Sequence, residues 1–186
     1  MKNMKTKNLA ATAIFAALTA VLAQLVIPLP FTPIPFSMGV FAVFLTGALL
    51  PMSNSIYALL VYILLGAVGL PVFGHFSGGI GVILGPTGGY ILTYPIMAFL
   101  VALFIHLFHK RSVLSLAIGM LCAIAVCYLG GSLWYCVVAR VTWAKSIALT
   151  VLPFVPFDLI KIVFCIPLSL ALAKALQKAR MLPANS

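Results

Sequence analysis

The chain has 186 residues, of which 65% are hydrophobic types and 6% are charged. Soluble domains run at about 45–50% apolar and about 25% charged, so this composition excludes a water-soluble enzyme, a disordered tail and a secreted disulfide scaffold. It fits an integral membrane protein, in which 11 Lys+Arg against 1 Asp+Glu set topology rather than grip nucleic acid.

A membrane-crossing helix needs about 20 mostly apolar residues. The first such run is predicted over Leu9–Ile27 and ends in a proline-rich turn. It is too long for a signal-peptide core and lacks a small-x-small cleavage pattern. A shorter run, Ser37–Leu50, is closed by Pro51, and a third covers Asn54–Leu70. A glycine-rich break precedes a fourth over Gly89–His109. The fifth, Ser112–Arg140, is long enough to tilt or to bend at Gly130-Gly131. An amphipathic stretch, Ala144–Leu152, leads into the last, Pro156–Lys178. The predicted fold class is all-α: six transmembrane helices in one bundle, a single domain over 1–186.

The basic residues orient it. With six crossings, one side holds Lys2, Lys5, Lys7, Lys110, Arg111, Lys174, Lys178 and Arg180, and the other only Arg140 and Lys145. The positive-inside rule places both termini in the cytoplasm. Loops 28–36 and 71–87 then face outward.

Asp158 and Lys161 carry the strongest chemical signal. Asp158 is the one acidic residue of the chain, and Lys161 lies within the last predicted span, apart from the basic residues assigned to either side. At i and i+3 they share a helix face. Charges near the bilayer centre cost about 2.5–3.5 kcal/mol each even on lenient scales, so the pair is expected to face a polar cavity. One reading makes it a ligand site with an acceptor beside a donor. The other makes Asp158 a partner of the helix dipole, with Lys161 neutralising it.

The second signal is the segment 71–90, which holds seven of the 14 glycines. It reads either as a substrate-contacting loop, since glycine lets backbone approach a ligand, or as an external connector. Gly81 and Gly85 match GxxxG spacing, but Pro86 follows at once and argues against helix pairing there. The third signal is small-xxx-small spacing in the first span, Ala13 with Ala17 and Ala16 with Ala20, suited to a close helix partner within the chain or outside it.

Other chemistries find no footing. There is no Gly-Lys dipeptide for a P-loop, no GxSxG, and one carboxylate cannot form a dyad. The four cysteines lie in apolar stretches as small hydrophobes, and no metal is expected. His106 and His109 sit beside Lys110 as interfacial residues, and Trp134, Tyr135 and Trp143 near Arg140 read as an outer aromatic belt.

Together Gly85-Pro-Thr-Gly-Gly-Tyr90, Gly69-Leu-Pro-Val-Phe73 and Leu152-Pro-Phe-Val-Pro-Phe-Asp-Leu-Ile-Lys161 resemble the BioY family, over nearly the whole chain. The resemblance implies a six-helix biotin-binding S component of an energy-coupling-factor vitamin importer, in a prokaryotic cytoplasmic membrane. It implies no enzymatic activity and no cofactor, biotin being the cargo. Its partners would be a membrane T component and two ATPase subunits, besides the lipid bilayer. It makes Asp158 and Lys161 ligand contacts, and maps further contacts onto Ser77, Gly78, Gly79, Gly81, Gly85 and Tyr90. It assigns Ala13 and Ala17 to docking on the T component. One departure stands out: relatives commonly carry a Pro-Phe-Thr-Leu-Gln-type run where this chain has Pro35-Phe-Ser-Met-Gly39. The competing functions are an intramembrane enzyme acting on a lipid or prenyl substrate, which would want more carboxylates, and a small pore, which would leave the Asp–Lys pair without a role.

Overall fold

A computed structural model describes residues 2–178 except 31 and 33, without the side chains of 2–5. Of the topology-setting cations, Arg180 and the side chains of Lys2 and Lys5 therefore lie outside the described residues. The chain runs α1 (Lys2–Ala23), β1 (Val26–Ile27), β2 (Phe36–Ser37), α2 (Gly39–Leu49), α3 (Met52–Ala67), a 3₁₀ turn at Gly74–Phe76, α4 (Ile80–Leu84), α5 (Gly88–Leu107), α6 (Val113–Ala139), α7 (Trp143–Thr150) and α8 (Val155–Lys178). Four of these, α1, α5, α6 and α8, are long and apolar enough to cross a membrane, and α2 and α3 are shorter apolar helices.

One expectation needs correction. The first span does not reach Ile27: its helix stops at Ala23, and Val26–Ile27 pair antiparallel with Phe36–Ser37. β-branched residues ahead of Pro28 are driven to extended backbone. α6 runs unbroken through Gly130-Gly131, from Val113 to Ala139. Those glycines admit α5. A Cβ on Gly131 would sit inside the ring of Tyr90, one on Gly130 against Thr93, and one on Gly89 against Trp134. Three missing side chains bring α5 and α6 into backbone-close contact.

Helix ends follow local chemistry. Ser112 and Ser115 form a reciprocal capping box at the start of α6, with N···O distances of 2.9 and 3.2 Å. Arg140 ends that helix in left-handed backbone, φ 52°. α2 is buried almost all round, the pattern of a helix enclosed by the others. Gly47 lets it close on the Ala98 backbone of α5.

The connections gather at opposite ends. At one end lie the β1–β2 hairpin, the loop 68–87, α7 and the start of α8, tied together by Lys161 to Ser37, Gln24 to Val72, Trp134 to Gly85 and Tyr90 to Thr150. At the other, the α2–α3 turn lies beside the α5–α6 turn across a cavity. There Asn54 Nδ2 also donates to Thr12 Oγ1 on α1 at 2.8 Å.

Candidate functional site

Asp158 falls in the first turn of α8 and Lys161 one turn on, both on the inward face. They are 5% and 6% exposed, so both charges are withdrawn from solvent and lipid alike. Lys161 Nζ lies 2.8 Å from Asp158 Oδ1. Such a pair is sustained only when its remaining valences are also met. Lys161 donates a second bond to the Ser37 carbonyl at 2.7 Å, and its ammonium stands 4.1 Å from the centroid of the Phe36 ring. Tyr128 on α6 donates to Asp158 Oδ2 at 2.6 Å. An ammonium has three N–H bonds and a carboxylate about four lone-pair sites, so each keeps capacity for a ligand. The helix-dipole reading is half right, because Asp158 does sit at the positive end of α8. The dipole does not account for bonds reaching in from β2 and α6.

The pair opens onto a cavity of about 70 Å³ between α2, α5, α6 and α8. It adjoins a second cavity of about 270 Å³, and Ile34, Pro35, Ser37, Tyr90 and Tyr94 line both. Aromatic and aliphatic walls with few polar groups suit a small, mostly apolar molecule carrying a polar end. Tyr62 stacks on Tyr94 with centroids 6.3 Å apart and meets Phe73 edge-on at 5.5 Å, giving the larger chamber a rigid aromatic floor.

The glycine-rich segment folds over this chamber. Phe73 is anchored in the core, and a Cβ on Gly66 would intrude on its ring. Phe73 and Ser77 bridge antiparallel around the 3₁₀ turn, where His75 and Phe76 take positive φ. Gln24 at the end of α1 pins the turn: its Nε2 donates to Val72 O at 3.1 Å and its Oε1 accepts from Phe76 N at 2.8 Å.

The predicted contacts sort by position. Asp158, Lys161, Ser77 and Tyr90 line one or both cavities. Gly78, Gly79, Gly81 and Gly85 are not among the lining residues. Gly78 presses on the Leu70 carbonyl. Gly79 supplies a φ of 96° and donates its N–H to Gly66 O. A Cβ on Gly81 would meet nothing within 4 Å. Gly85 accepts from Trp134 Nε1 at 3.0 Å. Gly78, Gly79 and Gly85 thus shape the cap, and Gly81 stands free of close packing. Trp134 and Tyr135 also depart from the expected aromatic belt: Trp134 ties α6 to the cap, and Tyr135 is buried with Ile34 and Phe154. Of the cysteines, Cys127 and Cys165 are buried, whereas Cys122 and Cys136 are only half-buried, because α6 turns that side outward.

Four residues of the site carry no motif. Tyr128 holds Asp158, Phe36 and Ser37 cover Lys161, and Tyr94 lines both cavities. A phenol in mid-span needs a hydrogen-bond partner, which was the legible clue for Tyr128. Gly39, the departure singled out in the sequence, is buried, and its absent Cβ would lie 3.1 Å from Tyr94 Oη. A phenol hydroxyl thus stands beside the space that a longer polar side chain would enter.

Ala13 and Ala17 lie on the exposed face of α1, and Ala16 is buried against the bundle. The two small-residue spacings therefore serve opposite sides of one helix.

A bundle of apolar helices with a capped, part-aromatic chamber ending at a buried ion pair defines a membrane protein that takes up a small ligand from one end. The chain belongs to the BioY family, whose profile matches residues 1–178. It is 42% identical over 159 residues to the probable biotin transporter BioY of Pyrococcus horikoshii, covering 85% of this chain and 91% of that one. It is 32% identical over 176 residues to the biotin transporter BioY2 of Lactococcus lactis, covering 95% of each. Its fold matches the crystal structure of the S-component for biotin from an ECF-type ABC transporter with a TM-score of 0.86, at 25% identity over 94% of each chain.

Proposed function

We propose that this chain is the biotin-binding S component of an energy-coupling-factor importer, a single six-helix domain in a prokaryotic cytoplasmic membrane with both termini inside. The observation that carries the ligand assignment is the Asp158–Lys161 pair. It sets an acceptor and a donor side by side on one wall of an otherwise apolar chamber. A cyclic urea presents the mirror of that edge, an N–H next to a carbonyl oxygen. Asp158 accepts from the ureido N–H as a charge-assisted bond, and Lys161 donates to the ureido oxygen. The bicyclic body and aliphatic chain occupy the larger chamber among Tyr62, Phe73, Tyr90 and Tyr94. Ser77 and the cap lie over the far end, and Gly78, Gly79 and Gly85 give the cap its shape.

Transport energy comes from partners, because the sequence has no P-loop lysine to hold a nucleotide. A membrane T component and two ATPase subunits supply it, and the exposed Ala13–Ala17 strip of α1 is the docking surface. Calorimetry on the detergent-purified chain tests the reading. Biotin should bind saturably at one site with nucleotide and partners removed. Monodisperse protein that gives no saturable heat would sink the assignment.

A further inference from the structure

Among the described residues a second cavity, larger than either chamber of the ligand site, lies away from it. About 420 Å³ opens at the opposite end, between the α2–α3 turn and the α5–α6 turn, lined by Leu50, Pro51, Ala102, Ile105, His106 and Arg111 among others. That volume lies in the range of roughly 300–1,000 Å³ typical of small-ligand pockets. Its walls are mostly apolar, with His106 on α5 and His109 in the turn among them, and it carries a cation. Arg111 Nε and Nη1 are buried and make no hydrogen bond among the described residues. Buried guanidinium donors are costly to leave unmet, and desolvation pushes the Arg111 pKa below its ordinary value, though arginine stays charged.

This chain has no side chain that can answer that charge. Its single side-chain carboxylate is Asp158, already paired with Lys161 at the far end. A second molecule is the natural source of the counter-charge. The setting says what kind. Residues 108–112 join two helices long enough to cross a membrane, so the turn lies at a membrane face whichever way the bundle points. Leu107, Phe108, Val113 and Leu114 around it are exposed and apolar. Lys110 is exposed beside Arg111 and adds positive charge. A headgroup phosphate with acyl chains along those side chains satisfies both features, and the planar guanidinium fork suits two phosphate oxygens. We propose that this cavity is a phospholipid site, in which Arg111 grips the headgroup phosphate of an anionic lipid. The assignment is independent of biotin.

The test uses full-length protein stripped of lipid in detergent, with phosphatidylglycerol, phosphatidylcholine and excess inorganic phosphate as probes. Retained lipid is counted by native mass spectrometry. Wild type should retain phosphatidylglycerol over phosphatidylcholine. Arg111→Gln should hold it about five-fold less tightly, the effect of one cation near an anionic surface, and Lys110→Gln should lose much less. Met52→Trp, which fills the cavity mouth and keeps the guanidinium, should also lose the lipid, so the case does not hang on one variant. Biotin binding should be unchanged in all three. Equal retention by wild type and both cavity variants overturns the proposal. Displacement of the lipid by inorganic phosphate would make free phosphate the occupant and overturn the lipid assignment. So would Arg111-dependent capture of a T component with lipid retention unaffected.

Discussion

Lys161 reaches across from α8 to the carbonyl of Ser37 on β2, so one ammonium joins the ligand wall to the hairpin that covers it. Removing it strands Asp158 and loosens the cap together. Truncating one member of a buried, hydrogen-bonded charge pair costs about 2–5 kcal/mol. Lys161→Ala and Asp158→Asn should therefore each weaken biotin binding on the order of thirty-fold or more in calorimetry. Lys145→Ala, at an exposed residue of α7, should leave the affinity where it was. Wild-type affinity in both pocket variants would return the pair to the helix dipole. The pair itself is legible in the sequence, because two charges in an apolar span must meet something. Its partners Tyr128, Phe36 and Ser37 are not, because their separation from α8 in sequence is closed only by folding.

At the scale of elements, glycines decide which helices touch. Tyr90 lines both cavities and donates its hydroxyl to Thr150 O at 3.2 Å because its ring lies against Gly131. Gly131→Ala should force that ring off its place, with an overpacking cost of about 1–3 kcal/mol. Lower biotin affinity and a lower unfolding midpoint are expected together. Gly81→Ala, where a Cβ meets open space inside α4, should change neither appreciably. If both substitutions behave alike, the α5–α6 contact does not position Tyr90. α1 gives a second contrast. Ala13→Leu with Ala17→Leu adds bulk on the exposed face, so the isolated chain should fold and bind biotin while co-purification with the T component and ATPases fails. Ala16→Leu, at a residue 3% exposed, should instead destabilise the chain by itself. A double mutant that still assembles and transports would remove Ala13 and Ala17 from the docking surface.

For the whole molecule, the proposed six crossings raise the question of how helices of unequal length fit one bilayer. α2 has 11 residues, about 16 Å at about 1.5 Å per residue, against a hydrocarbon core of about 30 Å. It is sheathed by the other helices, and the β1–β2 hairpin continues its path toward the ligand end. Irregular backbone of this kind is tolerated at membrane depth only under protein cover. Single cysteines at Lys110 and Lys145, in a chain whose four native cysteines are replaced, should label from opposite faces of sealed vesicles: position 110 from the cytoplasmic face, position 145 from outside. Labelling of both from one face would contradict the six-crossing arrangement with internal termini.

The sequence by itself determined the apolar helical class, the places where most helices begin and end, and the two charges that needed a partner. Those features are local: hydropathy, prolines and an imbalance of charge. Tertiary structure decided what the glycines and aromatics do. The same glycine type opens an α5–α6 contact at 131, supplies positive φ at 79 and stands in open space at 81. Nothing within a few residues of each distinguishes them. The unmatched Arg111 follows the same logic. In sequence it is one more cation beside a span, and only the packing of two distant turns buries its Nε and Nη1 without a partner among the described residues. Burial depends on what the rest of the chain brings near, and the energy of a buried polar group depends on whether its partner arrives with it.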